Sequence, residues 1–194
     1  MHLVAIHTCM AYQIITPPPA DALAVSIDEV KLSLKIDCDV EDSLISSHIR
    51  TAQEYAESFQ GRQLLTATYR LYLDEFPETI KIRKLPVQSI VKIEYVNTDG
   101  ALSLLGSPNY DVDLVSRPSR IVPAYGTCWP SVRPVLNCVH VEFVCGYSSP
   151  EAVPYSTKAA ILLQVGWLYA NREPAPMELD AVNNLLAIDA WGRA

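Results

Sequence analysis

Hydrophobic and polar positions along the chain change period twice, from a spacing near 3.6 residues to alternation and back again. In the first stretch, Ser26-Ile27-Asp28-Glu29 has the spacing of a capping box, in which Ser26 accepts from the amide of residue 29 and the Glu29 carboxylate reaches back to residue 26. A short helix over 27–35 follows. Asp37-Cys38-Asp39 then turns the chain into a longer helix over 40–60, whose apolar residues Leu44, Ile45, Ile49, Ala52, Tyr55, Ala56 and Phe59 share one face. Gly61 is placed to end it in a left-handed conformation, and Arg50, Glu54 and Glu57 fall on the outer, solvated face.

From Thr66 the pattern alternates, with Tyr69, Leu71 and Leu73 against Thr68, Arg70 and Tyr72. Further strands are expected over 79–83, 90–96, 110–114, 120–122 and 139–144, with Thr98-Asp99-Gly100 as a hairpin turn. The helical period returns at Val153-Pro154 with a helix over 154–171 that is apolar on most of its circumference. Such a helix is buried on more than one side: one face covers its own core, and Ile161, Val165, Leu168 and Tyr169 are candidates for a contact with a neighbouring subunit. Pro174-Ala175-Pro176 breaks the chain before a last amphipathic helix over 178–191. That helix either caps the core or projects into a groove of another protein, with Leu179, Val182, Leu185, Leu186, Ile188 and Trp191 as anchors.

The order of elements predicts an α+β fold: N-terminal helices, a small antiparallel β insertion over 66–146, and C-terminal helices. Three regions are expected: an arm over 1–24 that ends in the stiff run Pro17-Pro18-Pro19, a core over 25–174, and a C-terminal docking segment over 175–194. With 194 residues the chain is long enough for one domain with a sizeable core. Its composition, 49% hydrophobic and 19% charged, is that of a soluble folded protein, and no apolar run is long enough to span a bilayer. No Lys or Arg precedes the mildly apolar N-terminus, which argues against a secretory leader.

The net charge of -7, from 22 acidic and 15 basic residues, argues against wrapping nucleic acid, because phosphate neutralisation needs clustered cations. Cys9, Cys38, Cys128, Cys138 and Cys145 form no C-x-x-C pair and no zinc spacing, and read as free thiols. The glycines are too scattered for a phosphate loop, and His2, His7, His48 and His140 form no ligand pair. No nucleophile, paired acid and base or metal cluster emerges, so neither enzyme chemistry nor a cofactor is expected. Asp37, Asp39, Glu41 and Asp42 lack the glycine and distal glutamate of a calcium loop and read as complements to a helix start. Asp111 and Asp113 alternate out of one sheet face, either as ordinary exposed acids or as a surface facing DNA or a partner. Trp129-Pro130 reads as a loop anchored by its own aromatics.

These pieces, taken in order, resemble the head-tail connector or adaptor proteins of tailed bacteriophages, in the group with a β insertion between helices. The resemblance is carried by Ser26-Ile27-Asp28-Glu29-Val30-Lys31, Glu41-Asp42-Ser43-Leu44-Ile45 and Gly61-Arg62-Gln63-Leu64. It continues through Leu85-Pro86-Val87-Gln88-Ser89-Ile90, Trp129-Pro130, Val139-His140-Val141-Glu142-Phe143 and Tyr169-Ala170-Asn171-Arg172-Glu173. The first two dozen residues have no counterpart, and the Leu185-Leu186 end lacks the family's Pro-Tyr-Arg termination. The resemblance implies a structural virion protein of the neck, assembled in the host cytoplasm as a ring of about twelve copies. Such a ring sits under the portal protein, extends the channel through which double-stranded DNA passes without specific binding, and docks the stopper or tail-completion protein, with no membrane partner. Another morphogenesis component (stopper, tail terminator or packaging accessory) is the alternative, ahead of a small enzyme.

Overall fold

The structure is a computed structural model and describes residues 11–171 and 179–190. It divides into a β unit, built from the chain up to Pro17 together with Ala67–Cys145, and a helical unit, built from Pro18–Thr66 together with the chain from Gly146 onward. The α+β order is as expected, helices on either side of an inserted β region, and each unit has its own core.

In the helical unit, α1 (Ile27–Leu34) begins where the capping box predicts: Ser26 Oγ accepts from the Glu29 amide at 3.1 Å, and Glu29 Oε2 accepts from the Ser26 amide at 2.7 Å. The Ser26 amide also holds the Glu29 carboxyl below the usual carboxylate range. The longer helix, α2 (Asp42–Gln60), buries Ile45, Ile49, Ala52 and Ala56 as one stripe, and Gly61 ends it at φ 64. After Pro154, α3 (Tyr155–Ala170) buries Thr157, Ala160, Ile161, Gln164 and Val165, while α4 (Asp180–Asp189) buries Val182 and Leu186. These stripes close on one another with Ala24, Val25, Val30, Leu64 and Val153. Each fully buried Ile or Leu among them contributes roughly 1.5–3 kcal/mol relative to exposure.

The acids before α2 do not cap it. Glu41 occupies the cap position with no side-chain bond to the helix amides. Instead Lys31 Nζ draws in Asp39 at 2.6 Å and Asp42 at 2.5 Å, bonds that raise the lysine above its ordinary pKa, and Glu41 accepts from the Tyr169 hydroxyl. A cation supplied by α1 outcompetes neutral amides because charge-assisted bonds are the stronger ones. Glu57 likewise leaves the solvated role its spacing suggested: Oε1 accepts from the Leu64 amide at 3.0 Å and from Gln63 Nε2 at 2.9 Å, pinning the turn after α2.

The β unit holds two antiparallel sheets where the alternation had suggested one. Its strands are β1 (Ala11–Thr16), β2 (Ala67–Leu73), β3 (Ile80–Ile82), β4 (Val87–Val96), β5 (Leu102–Leu105), β6 (Tyr110–Asp113), β7 (Ser119–Pro123) and β8 (Val139–Cys145). The larger sheet has the order β1-β2-β8-β4-β5 and the smaller β3-β7-β6. Central β8 places Val139, Val141, Phe143 and Cys145 in the core, against Leu71, Leu73, Ile93 and Ile121. On its other face Glu142 takes Arg70 at 2.7 Å and the His140 ring meets Tyr72 edge-on. The β4–β5 hairpin turns at Gly100, φ 90, as expected. Trp129 stacks on Phe76 at 4.8 Å and donates from Nε1 to the Pro77 carbonyl at 2.8 Å, so this loop is anchored by its aromatics.

The expected arm over 1–24 requires correction. Ala11–Thr16 is an edge strand paired with β2, with the Tyr12 ring edge-on to Phe143, and Ala24 and Val25 are fully buried in the helical core. The physical reason is that Tyr12 and Ile14 alternate with Ala11 and Gln13, a period-two pattern whose partner strand lies far away in sequence. Residues 1–10 lie outside the described residues, as does Trp191.

Candidate interaction surfaces

The apolar surface left over on α3 is not where the sequence placed it. Ile161 and Val165 are buried inside the subunit's own core, and Leu168 and Tyr169 are half-buried, with the Tyr169 hydroxyl donating to Glu41. The exposed apolar side chains of this helix are Tyr155, 87% exposed, and Leu163, 52% exposed. Ala159, Leu162, Leu163 and Gly166 join Ser33 and Leu34 of the first helix to line an open groove of about 570 Å³. A Cβ at Gly166 would stand 3.4 Å from Leu34 Cδ2, an ordinary contact. A helix apolar nearly all round carries no phase of its own, so its neighbours α2 and α4 decide which stripe is inside.

Helix α4 caps the core in this structure. Val182 and Leu186 are buried, Leu179 and Leu185 pack partly against the same cluster, and Ile188 is 69% exposed. Val182 and Leu186 are therefore not available as docking anchors while the helix is seated, and among the described anchor candidates Ile188 is the exposed one.

The β6–β7 ribbon separates the two acids that the sequence paired. Asp113 Oδ1 accepts from the Val115 and Ser116 amides, each at 3.0 Å, and Oδ2 receives Arg120 Nη2 at 2.6 Å. Bonds from Ser116 first, and from Arg120 next, hold its carboxyl well below the usual carboxylate range. Its charge is thus neutralised locally, whereas Asp111 is exposed. Both line a shallow cavity of about 310 Å³ with Thr79, Val112, Arg120 and Val122. Sequence reasoning missed Arg120 as the partner; its only signal was a cation seven residues on, across a turn marked by Pro118.

Among the described residues Cys38, Cys128, Cys138 and Cys145 form no disulfide, and the last two are buried. Among the described residues no group of three or more His, Cys, Asp or Glu side chains is placed to hold a metal, and no helix is long and apolar enough to cross a membrane. Burial lowers the His48 pKa, and His140 Nε2 lies 2.8 Å from the Asn137 carbonyl. What the geometry offers is surface: an apolar groove, an acidic ribbon and open sheet edges.

The same fold occurs in particle necks. A chain from the neck of an empty GTA particle, computed with C6 symmetry, superposes with a TM-score of 0.75 at 19% identity, covering 95% of this chain and 97% of that one. A chain from the neck of a native GTA particle, computed with C12 symmetry, gives 0.73 at 22% identity over 95% and 97%. A third, from the virion of the native gene transfer agent (GTA) particle, gives 0.73 at 19% over 94% and 96%. No curated protein matches the chain. Residues 24–99 match the family model described as phage gp6-like head-tail connector protein, from just before the first capping box to the β4–β5 turn. The chain is thus similar to head-tail connector proteins over residues 24–99 and shares its fold with chains from particle necks.

Proposed function

We propose that the protein is the adaptor of a tailed, phage-like particle: about twelve copies form a ring under the portal, extend the DNA channel, and dock the stopper or tail-completion protein. The observation that carries this reading is the shared fold over 95% of the chain with a neck chain from a C12-symmetric particle, joined to the connector match over 24–99. The apolar groove of α1 and α3, which Leu163 helps to line, supports a flank that a neighbouring copy covers, in place of the buried Ile161 and Val165. Leu168 and Tyr169 lie further along the same helix, at its C-terminal end.

The net charge of -7 suits a lumen that passes DNA without holding it, since fixed cations would raise affinity steeply at low salt. Asp111 is the acid proposed to face that lumen; Asp113 is already neutralised by Arg120. At the C-terminal end, Ile188 and Trp191 are the proposed portal contacts. Assembly takes place in the host cytoplasm, and the finished ring resides in the virion neck.

Co-expression with the cognate portal tests the reading. The expected result is a portal–adaptor complex whose end-on averages in electron microscopy show twelve copies of this chain, and which retains no DNA at physiological salt. A chain that ignores the portal and binds the tail tube would instead be a tail terminator, and the adaptor reading would fall.

A further inference from the structure

We infer that neighbouring copies join their five-stranded sheets edge to edge, β5 of one copy lying against β1 of the next, an inference that rests on the ring reading. The two strands are the ends of the larger sheet, and each pairs on one side only among the described residues. Edge strands present a row of unpaired amides and carbonyls, and proteins blunt them with charge or proline. Neither device is used here: the strand sequences AYQIIT and LSLL contain no charged residue and no proline. Both edges instead expose aliphatic side chains, Leu102 (57%) and Leu104 (65%) on β5, Ile14 (43%) and Ile15 (39%) on β1.

The strand count says which partner fits. Every pairing in the sheet is antiparallel, so with five strands its two edges run in the same direction. Copies related by a simple rotation therefore bring β5 to a parallel β1. The contact is heterologous and, once the ring closes, leaves no bare edge. A two-fold dimer would pair like with like and leave the other edge open, and a single extended peptide would cover one edge alone. A second copy in head-to-tail order covers both. With four residues in β5, one junction falls far short of the roughly 1,000 Å² that a stable interface needs. Pairing is thus weak between two free chains and gains its strength from closure.

The test uses full-length chain in which Cys9, Cys38 and Cys128 are replaced by Ser. One preparation carries Leu104→Cys and the other Gln13→Cys; they are mixed, assembled into rings on the portal, and treated with a short bis-maleimide whose reach tolerates a register shift of a residue or two. Mass spectrometry is expected to find a linked pair of the two variants, and no linked pair from the Leu104→Cys preparation alone. In parallel, Leu104→Lys, which places a charge on the bare edge, is expected to lower the yield of rings roughly tenfold or more. Val115→Lys, at a position 92% exposed, is expected to leave it unchanged. Rings that form without the cross-link, and form normally with Leu104→Lys, overturn edge pairing and leave the ring reading standing. A link between two Leu104→Cys copies overturns the head-to-tail arrangement. Failure of the unsubstituted chain to form rings with the portal overturns the ring reading, and this inference with it.

Discussion

The side-chain amide of Gln60 donates to the carbonyl oxygen of Leu186 at 3.0 Å and, from the same nitrogen, to Thr157 Oγ1 at 3.1 Å. One buried side chain at the end of α2 thereby ties together α3 and α4, the latter through its backbone. The attachment is polar and interior, so it fixes the seat of α4 more sharply than apolar packing would.

Replacing Gln60 with Ala removes the donor from both acceptors while they stay buried. Destabilisation of about 1–3 kcal/mol is expected, read from the midpoint of chemical unfolding. A midpoint that does not move would mean that water or another side chain replaces the amide.

The two apolar residues near the end of α4 should part company. Leu186 is fully buried, and Leu186→Ala is expected to cost about 2–5 kcal/mol through a lost side chain and a cavity. Ile188, 69% exposed, should change stability by no more than about 0.5 kcal/mol when replaced by Ala, yet weaken binding to the portal. Equal losses of stability from both variants would contradict the seating described.

Two glycines make opposite predictions for the same substitution. Gly146 sits at φ 107, and a Cβ there would run into the carbonyl group of Leu65, backbone that cannot step aside. Gly146→Ala is expected to cost more than about 1 kcal/mol. In α3 the Cβ of Gly166→Ala would meet Leu34 at ordinary contact distance, and removal of a helical glycine should gain up to about 1 kcal/mol. Thermal melts of the two variants check both signs.

Asp113 gives a pH signature. Its folded-state pKa is depressed, so its stabilising contribution is complete above the unfolded value near 4 and is lost as pH falls toward the folded one. The stability gap between the native chain and Asp113→Asn is expected to stay constant from neutrality down to about pH 5 and to close below about pH 4. A gap that persists at low pH would show that the loss on substitution does not come from the charge of the Asp113 carboxylate.

Local signals in the sequence were sufficient for the capping box at Ser26 and Glu29, the glycine cap at Gly61, the hairpin at Gly100 and the strands running from Tyr69 to Leu73 and from Val139 to Val144. Each is settled by interactions within a few residues or by a period that the backbone imposes. The resemblance to head-tail connectors was legible too, and residues 24–99 match the model of that family, because a series of such local signals in a fixed order is more specific than any one of them. Missed or misplaced were β1, β5, the role of Glu57, the free acid of the Asp111 and Asp113 pair, and the exposed stripe of α3.

These share a physical cause. Ala11–Thr16 becomes a strand because β2 lies beside it, some fifty residues later in the chain, and Glu57 turns inward because the Leu64 amide needs an acceptor. Arg120 neutralises Asp113 rather than Asp111 because the register of β6 on β7 puts Asp113 opposite it. Helix α3, apolar almost all round, had no preferred face until α2 and α4 chose one. The sequence by itself determined the helices, the strongly alternating strands and where the chain turns, since those depend on near neighbours. Which residues remain outside was decided only by the tertiary structure, because burial is a property of pairs of elements and not of either one.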